Sequence, residues 1–248
     1  MSRLLAHHTL RSACQRLATL LRGAGLAKSI ATLAASLDEK YLRCFDRRYR
    51  VRTSGIIYLP DTSFDRSRLA DATQYGPING WGFRHFLQVL SLPRNLHFVD
   101  LGCGLGRACI LAAEYGFDKV TGVDLAAEFC TAARENIARC RPPSGRLSPI
   151  TILQMDALVF AEQTDADVFL MFRPFSAPVL RQVLDKLAAR ASSQNKPITV
   201  IFTERMLVPD SYAPTISENR AFRKVGEAAY WGQAFYVYQC GRQGVAPK

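Results

Sequence analysis

The feature that most constrains this chain is a short apolar run, His97–Leu101, that opens directly into Gly102, Gly104 and Gly106. A strand ending in a glycine turn, followed by the helical pattern Arg107–Tyr115 and a stop at Gly116, begins a βαβ unit. The alternation continues down the chain. Lys119–Val123 reads as a strand ending at Asp124, Ala126–Arg139 as a helix, and Pro142, Pro143 and Gly145 as a turn. Strands follow at Ile150–Leu153, at Asp167–Phe172 and at Ile198–Phe202, with a helix at Pro178–Ala191 that carries proline in its first turn. Residues 221–227 and 233–239 read as an antiparallel pair. The pattern predicts an α/β fold: a doubly wound, mostly parallel seven-stranded sheet with helices on both faces, an antiparallel C-terminal strand pair and a helical N-terminal extension.

Upstream of this pattern the composition shifts. The chain has 248 residues and a net charge of +11, yet the first 52 residues hold eleven Lys and Arg against three Asp and Glu. We therefore divide the chain into a basic helical extension, 1–92, and a main domain, 93–248. Residues 1–37 contain no acidic side chain, which suits either a basic amphipathic helix or a mitochondrial transit segment. Lys40, Arg43, Arg47, Arg48, Arg50 and Arg52, interleaved with Tyr41, Phe45 and Tyr49, suit either a solvated face or contact with an anionic surface, including bases stacked on the aromatics. Residues 56–80 read as a loop-rich connection, and 81–91 as an amphipathic helix bearing Trp81 and His85. Seven cysteines without a CxxC pair, and scarce histidine, predict no metal site and reduced thiols in a cytoplasmic protein. No run is long and apolar enough for a transmembrane helix.

In a doubly wound sheet, ligands bind beyond the carboxyl ends of the strands, where the strand order reverses. Asp100, Gly102–Gly106, Asp124, Asp156 and Arg173–Phe175 all follow strand ends and are expected to meet in one crevice. A dinucleotide fingerprint G-x-G-x-x-G would place its third glycine at position 107, which is Arg107. A pyrophosphate would also be repelled by three carboxylates. A ligand with adenosine at one end and a cationic ammonium or sulfonium at the other answers them, and S-adenosylmethionine is such a ligand. Asp124 is placed to accept two ribose hydroxyls, Asp156 an adenine amine, and Asp100 a cationic group.

The segment FVDLGCGLGRACILAAEYGFDKVTGVDL resembles the cofactor-binding half of class I, seven-strand, Rossmann-like S-adenosylmethionine-dependent methyltransferases. The resemblance spans roughly 75–205. It implies that Asp100, Gly102, Cys103 and Gly104 lie along the amino-acid part of the cofactor. It further implies that Asp124 holds the ribose with Leu125 beside the adenine, and that Asp156 and the Ala157 N–H meet the adenine edge. A narrower similarity, to seven-strand protein-lysine methyltransferases, rests on Gln74-Tyr75-Gly76 and on Phe172-Arg173-Pro174-Phe175. It adds Tyr75 to the cofactor set and departs at Arg173, where that group has Asn. Arg173 would repel an ammonium and attract an acidic acceptor. Candidates at the reacting end are Arg173, Phe175, Glu204 and Tyr75, with Trp81, Phe172 and His85 as further wall or core residues. The expected activity is methyl transfer by in-line displacement to a protein amine, a small molecule or RNA. The alternative is a nucleic-acid- or partner-binding module that keeps the fold with little catalysis.

Overall fold

A computed structural model describes residues 42–62, 66–206 and 211–241. The chain divides into two units, Met1–Cys44 and Phe45–Lys248. The basic stretch 1–37 and Lys40 therefore lie outside the described residues.

The second unit is built on one sheet. Its strands are β1 (His97–Leu101), β2 (Lys119–Asp124), β3 (Ile150–Gln154), β4 (Val168–Met171), β5 (Ile198–Arg205), β6 (Arg223–Tyr230) and β7 (Gln233–Cys240). They lie in the order β3-β2-β1-β4-β5-β7-β6. The first five run parallel, and β7 is antiparallel to both β5 and β6. The expected fold class is the one observed. The chain leaves β1 toward one edge and returns to β4 on its other side, so the order reverses between β1 and β4, the position at which such sheets bind ligands.

Alternation along each strand makes two cores. Phe98, Val120, Leu170 and Ile201 face α1 (Gly80–Leu90), α2 (Arg107–Tyr115) and α3 (Ala127–Arg139). Val99, Leu101, Phe169, Met171, Val200 and Phe202 face α4 (Ala157–Gln163), α5 (Ala177–Ser193) and α6 (Ala213–Glu218). Buried on both faces, the central strands read as continuous apolar runs, as parallel strands do. The helix ends follow ordinary capping chemistry. The Asn79 side chain accepts the Gly82 N–H at 3.0 Å, and Gly116 closes α2 in the left-handed conformation.

Two helices were not foreseen. Seven-residue α4 and six-residue α6 are too short to show a helical period. The signal for α4 was its cap, since Asp156 accepts the Leu158 N–H at 2.7 Å. The connection through 56–80 holds two 3-10 turns, Leu59–Asp61 and Arg66–Asp71, and isolated bridges from Ile57 to Tyr75 and from Ala72 to Phe175. Cys103, Cys109, Cys130, Cys140 and Cys240 are buried free thiols, whereas Cys44 is exposed. Phe45 and Tyr49 are buried and stacked on each other, with ring centroids 4.2 Å apart. This corrects the base-stacking expectation for those two rings, which are spent on the core.

Candidate functional site

The carboxyl ends of β1, β2, β3 and β4 meet at one cavity. Asp100, Gly102, Cys103, Gly104, Asp124, Leu125, Asp156, Ala157, Tyr75, Phe172 and Phe175 all line it. The crevice expected from four strand ends is thus assembled. Arg173 and Glu204 are not among its lining residues. Trp81 and His85 stay on the surface of α1, where His85 sets its ring edge against Tyr230 and Trp231.

Each wall has a local cause. Asp124 ends β2 with both oxygens occupied by backbone: Oδ2 accepts the Gly104 N–H at 2.8 Å and Oδ1 accepts the Ala126 N–H at 3.0 Å. The carboxylate thereby fixes the glycine loop and the start of α3. Each carboxylate oxygen has two acceptor sites, so Asp124 retains capacity for hydroxyl donors. Burial raises its pKa, against the pull of the surrounding backbone N–H groups.

Asp100 pairs with Gly122 and Leu170 in the middle of the sheet and is only 4 % exposed. Its Oδ2 accepts the Cys109 thiol at 3.7 Å, a weak contact. Burial, and then the charge of Asp124, push its pKa up to about 7. A carboxyl so placed is short of positive charge and faces a cavity that could bring some. Gly122 makes room beside it, because a Cβ there would lie 2.9 Å from the sulfurs of both Cys103 and Cys109.

The glycines serve a purpose the sequence did not reveal. Gly102 and Gly104 have φ of +79° and +50°. A Cβ on Gly102 would stand 2.3 Å from Pro174 Cβ, and one on Gly104 would stand 2.3 Å from the Tyr75 ring. The close approach is therefore first to Tyr75 and Pro174, which close over the loop. The Tyr75 hydroxyl donates to the Thr53 carbonyl at 2.7 Å, and burial raises its pKa.

Arg107 is the residue whose role sequence reasoning missed. Read as the absent third glycine of a dinucleotide loop, it is a cation only 2 % exposed. Its guanidinium donates to Thr53 Oγ1 at 2.7 Å, Ser54 Oγ at 3.1 Å, Asp46 Oδ1 at 3.2 Å and the Ile78 carbonyl at 3.2 Å, and lies over the Phe45 ring. Asp46 also accepts the N–H groups of Thr53 and Ser54. From α3, Asn136 grips both Arg52 backbone groups and the Leu105 carbonyl. Residues 45–54 are thus part of the site's scaffold. The signal was present in the acidic residue Asp46 inside a basic run, but its partner lies 61 residues away.

The residues suit a ligand with an apolar ring, vicinal hydroxyls and a cationic end. Leu125, Phe129 and Met155 give an apolar wall, Asp124 gives hydroxyl acceptors, and Asp100 awaits a positive charge. No group of three or more His, Cys, Asp or Glu among the described residues could hold a metal ion, and no described helix is long and apolar enough to cross a membrane.

Residues 98–194 match a family model described as a methyltransferase domain. An uncharacterized protein of Haemophilus influenzae is 32 % identical over 127 residues, which cover 47 % of this chain and 50 % of that protein. The chain thus spans about half the length of this curated relative. Two solved structures share the fold at a TM-score of 0.50. The pyocyanin biosynthetic protein PhzM is 14 % identical, covering 64 % of this chain and 54 % of that one. A point mutant of MtNAS is 15 % identical, covering 64 % of this chain and 58 % of that one. The methyltransferase-domain match runs from β1 through α5, the stretch whose strand ends build most of the cavity.

Proposed function

We infer that this chain transfers a methyl group from S-adenosylmethionine to an amine, with a protein amine ahead of a small molecule or RNA. The observation that carries the reading is the set of three carboxylates, Asp100, Asp124 and Asp156, at three strand ends around one cavity. The one guanidinium among the lining residues, Arg107, is engaged by Asp46, Thr53, Ser54 and Ile78. A phosphate-rich cofactor would meet repulsion there, and a cationic one attraction.

When bound, S-adenosylmethionine supplies a sulfonium-activated methyl carbon, and the protein supplies position and exclusion of water. Asp124 holds the ribose hydroxyls, with Leu125 beside the adenine and Asp156 and the Ala157 N–H at its edge. Asp100 faces the cationic end, along Gly102, Cys103 and Gly104. Tyr75 and Phe175 wall the reacting end. Arg173 had argued for an acidic acceptor and for a non-catalytic binding module. Its guanidinium instead lies on Tyr212, 4.2 Å from the ring centroid. Asp71, an exposed residue of the cavity lining whose Oδ1 also accepts the Ser176 hydroxyl at 3.3 Å, favours an acceptor that arrives as an ammonium and loses its proton to water before attack.

The test is incubation of the protein and a methyl-labelled donor with cell extract, followed by separation into protein, RNA and small molecules. Label should enter the protein fraction and vanish with an Asp124→Ala, Gly104→Ala double variant. No uptake into any fraction, or uptake that survives the double variant, contradicts the reading. Uptake into RNA alone would overturn the amine-on-protein assignment.

A further inference from the structure

Arg173 has a left-handed backbone, with φ of 43°. A side chain with a Cβ adopts this conformation only where its surroundings hold it there. Two contacts do so on opposite sides. The guanidinium carbon lies over the Tyr212 ring, 4.2 Å from its centroid, and the Arg173 carbonyl accepts the Thr73 hydroxyl.

Each contact is anchored further out. Glu204, only 2 % exposed at the end of β5, accepts the Tyr212 N–H at 3.2 Å and the Ser211 hydroxyl. Tyr212 is therefore a fixed platform. On the other side, residues 71–75 are stitched to 173–176. The Thr73 N–H donates to the Pro174 carbonyl at 3.3 Å, the Ser176 N–H donates to the Asp71 carbonyl at 3.0 Å, and Ala72 bridges to Phe175. This strap forms one wall of the cavity, and it carries Tyr75 onto Gly104.

We propose that Arg173 is a positioning residue: docked on Tyr212, it sets the turn that holds the 71–75 strap over the bound cofactor, and this latch sets how long the cofactor stays. The proposal rests on the reading of the cavity as the S-adenosylmethionine site. It gives Arg173 and Glu204 a task outside the cavity. It also explains why an arginine suits position 173. A planar guanidinium stacks on an aromatic face, and a lysine ammonium lacks that plane.

The experiment is a chase of radiolabelled S-adenosylmethionine from the full chain, with thermal melting alongside. Tyr212→Phe keeps the ring and should leave the dissociation rate within about twofold of wild type. Tyr212→Leu and Arg173→Met should each raise it about tenfold, the size of one lost cation–π contact. The double variant should be no faster than either alone, since both open one latch. Equal rates for Tyr212→Phe and Tyr212→Leu, or multiplied effects in the double variant, would overturn the latch. So would lower melting temperatures with unchanged rates. Arg173→Lys, the mildest change, gives a second readout: amide exchange at Thr73 and Tyr75 should quicken, and unchanged exchange contradicts the proposal. Wild-type protein that retains no S-adenosylmethionine overturns the cavity reading and the latch together, whereas wild-type binding with unaltered variants overturns the latch alone.

Discussion

Asp100 joins a buried position to a charge requirement, and its pH behaviour follows. Its pKa in the fold is about 7, against 3.8 for an unperturbed group. Between these values the folded protein keeps a proton that the unfolded chain has released. The contribution of Asp100 to the stability of the ligand-free protein therefore falls as the pH rises from about 4 to about 7, and levels off above. A cation arriving beside Asp100 favours the ionised form, so binding releases a proton below pH 7. Affinity for S-adenosylmethionine should rise with pH up to about 7 and then flatten, and Asp100→Asn should remove the slope. Calorimetry in two buffers of different ionisation enthalpy counts the proton, and an affinity flat from pH 5.5 to 7.5 contradicts this role. Gly104 offers a second test at the same scale. Gly145, at φ +69° with nothing near its Cβ position, serves as the control. Gly145→Ala should cost only the left-handed penalty, about 1–2 kcal/mol. Gly104→Ala should cost more and weaken cofactor binding, because the new methyl displaces the Tyr75 ring. Denaturant melts and binding curves for the two variants settle the comparison.

At the scale of elements, the scaffold under the glycine loop is a buried ion pair. Arg107 and Asp46 join α2 to the stretch 45–54 at 3.2 Å. Removing Arg107 takes the cation from Asp46, which is half-buried and keeps its bonds from Thr53 and Ser54, so the cost is that of one lost charged hydrogen bond, about 1.5–3 kcal/mol. Arg107→Met should lower stability by that amount, and the Asp46→Asn, Arg107→Met pair should recover part of it. Urea titrations of the single and double variants measure this, and strict additivity would show that the two residues do not act together. This element also marks where the sequence became unreadable. β1 through β5 and the longer helices α2, α3 and α5 were legible because apolar periodicity, glycine and proline are local signals, whereas seven-residue α4 was too short to show a period. The carboxylates at the strand ends were legible because topology places them. The partnership of Arg107 with Asp46, Thr53 and Ser54 is long-range, and no local pattern announces it. Arg173 was misread for a related reason: side-chain type suggested its charge pointed into the cavity, whereas a left-handed backbone turns it onto Tyr212.

Across the whole molecule, the account is that a doubly wound sheet gathers acidic side chains at its reversal point to receive a positively charged adenosyl donor. Four strand ends, the 71–75 strap and the 45–54 scaffold all bear on one cavity. The most direct measurement is calorimetric titration of the full chain with S-adenosylmethionine, its demethylated product and NAD, repeated with Asp124→Ala. The account predicts binding of the first two and none of NAD, with Asp124→Ala weakening affinity roughly 10- to 100-fold, as expected for losing a charged hydrogen bond of about 1.5–3 kcal/mol. Binding of NAD without the other two, or an affinity for S-adenosylmethionine unchanged by Asp124→Ala, would contradict it.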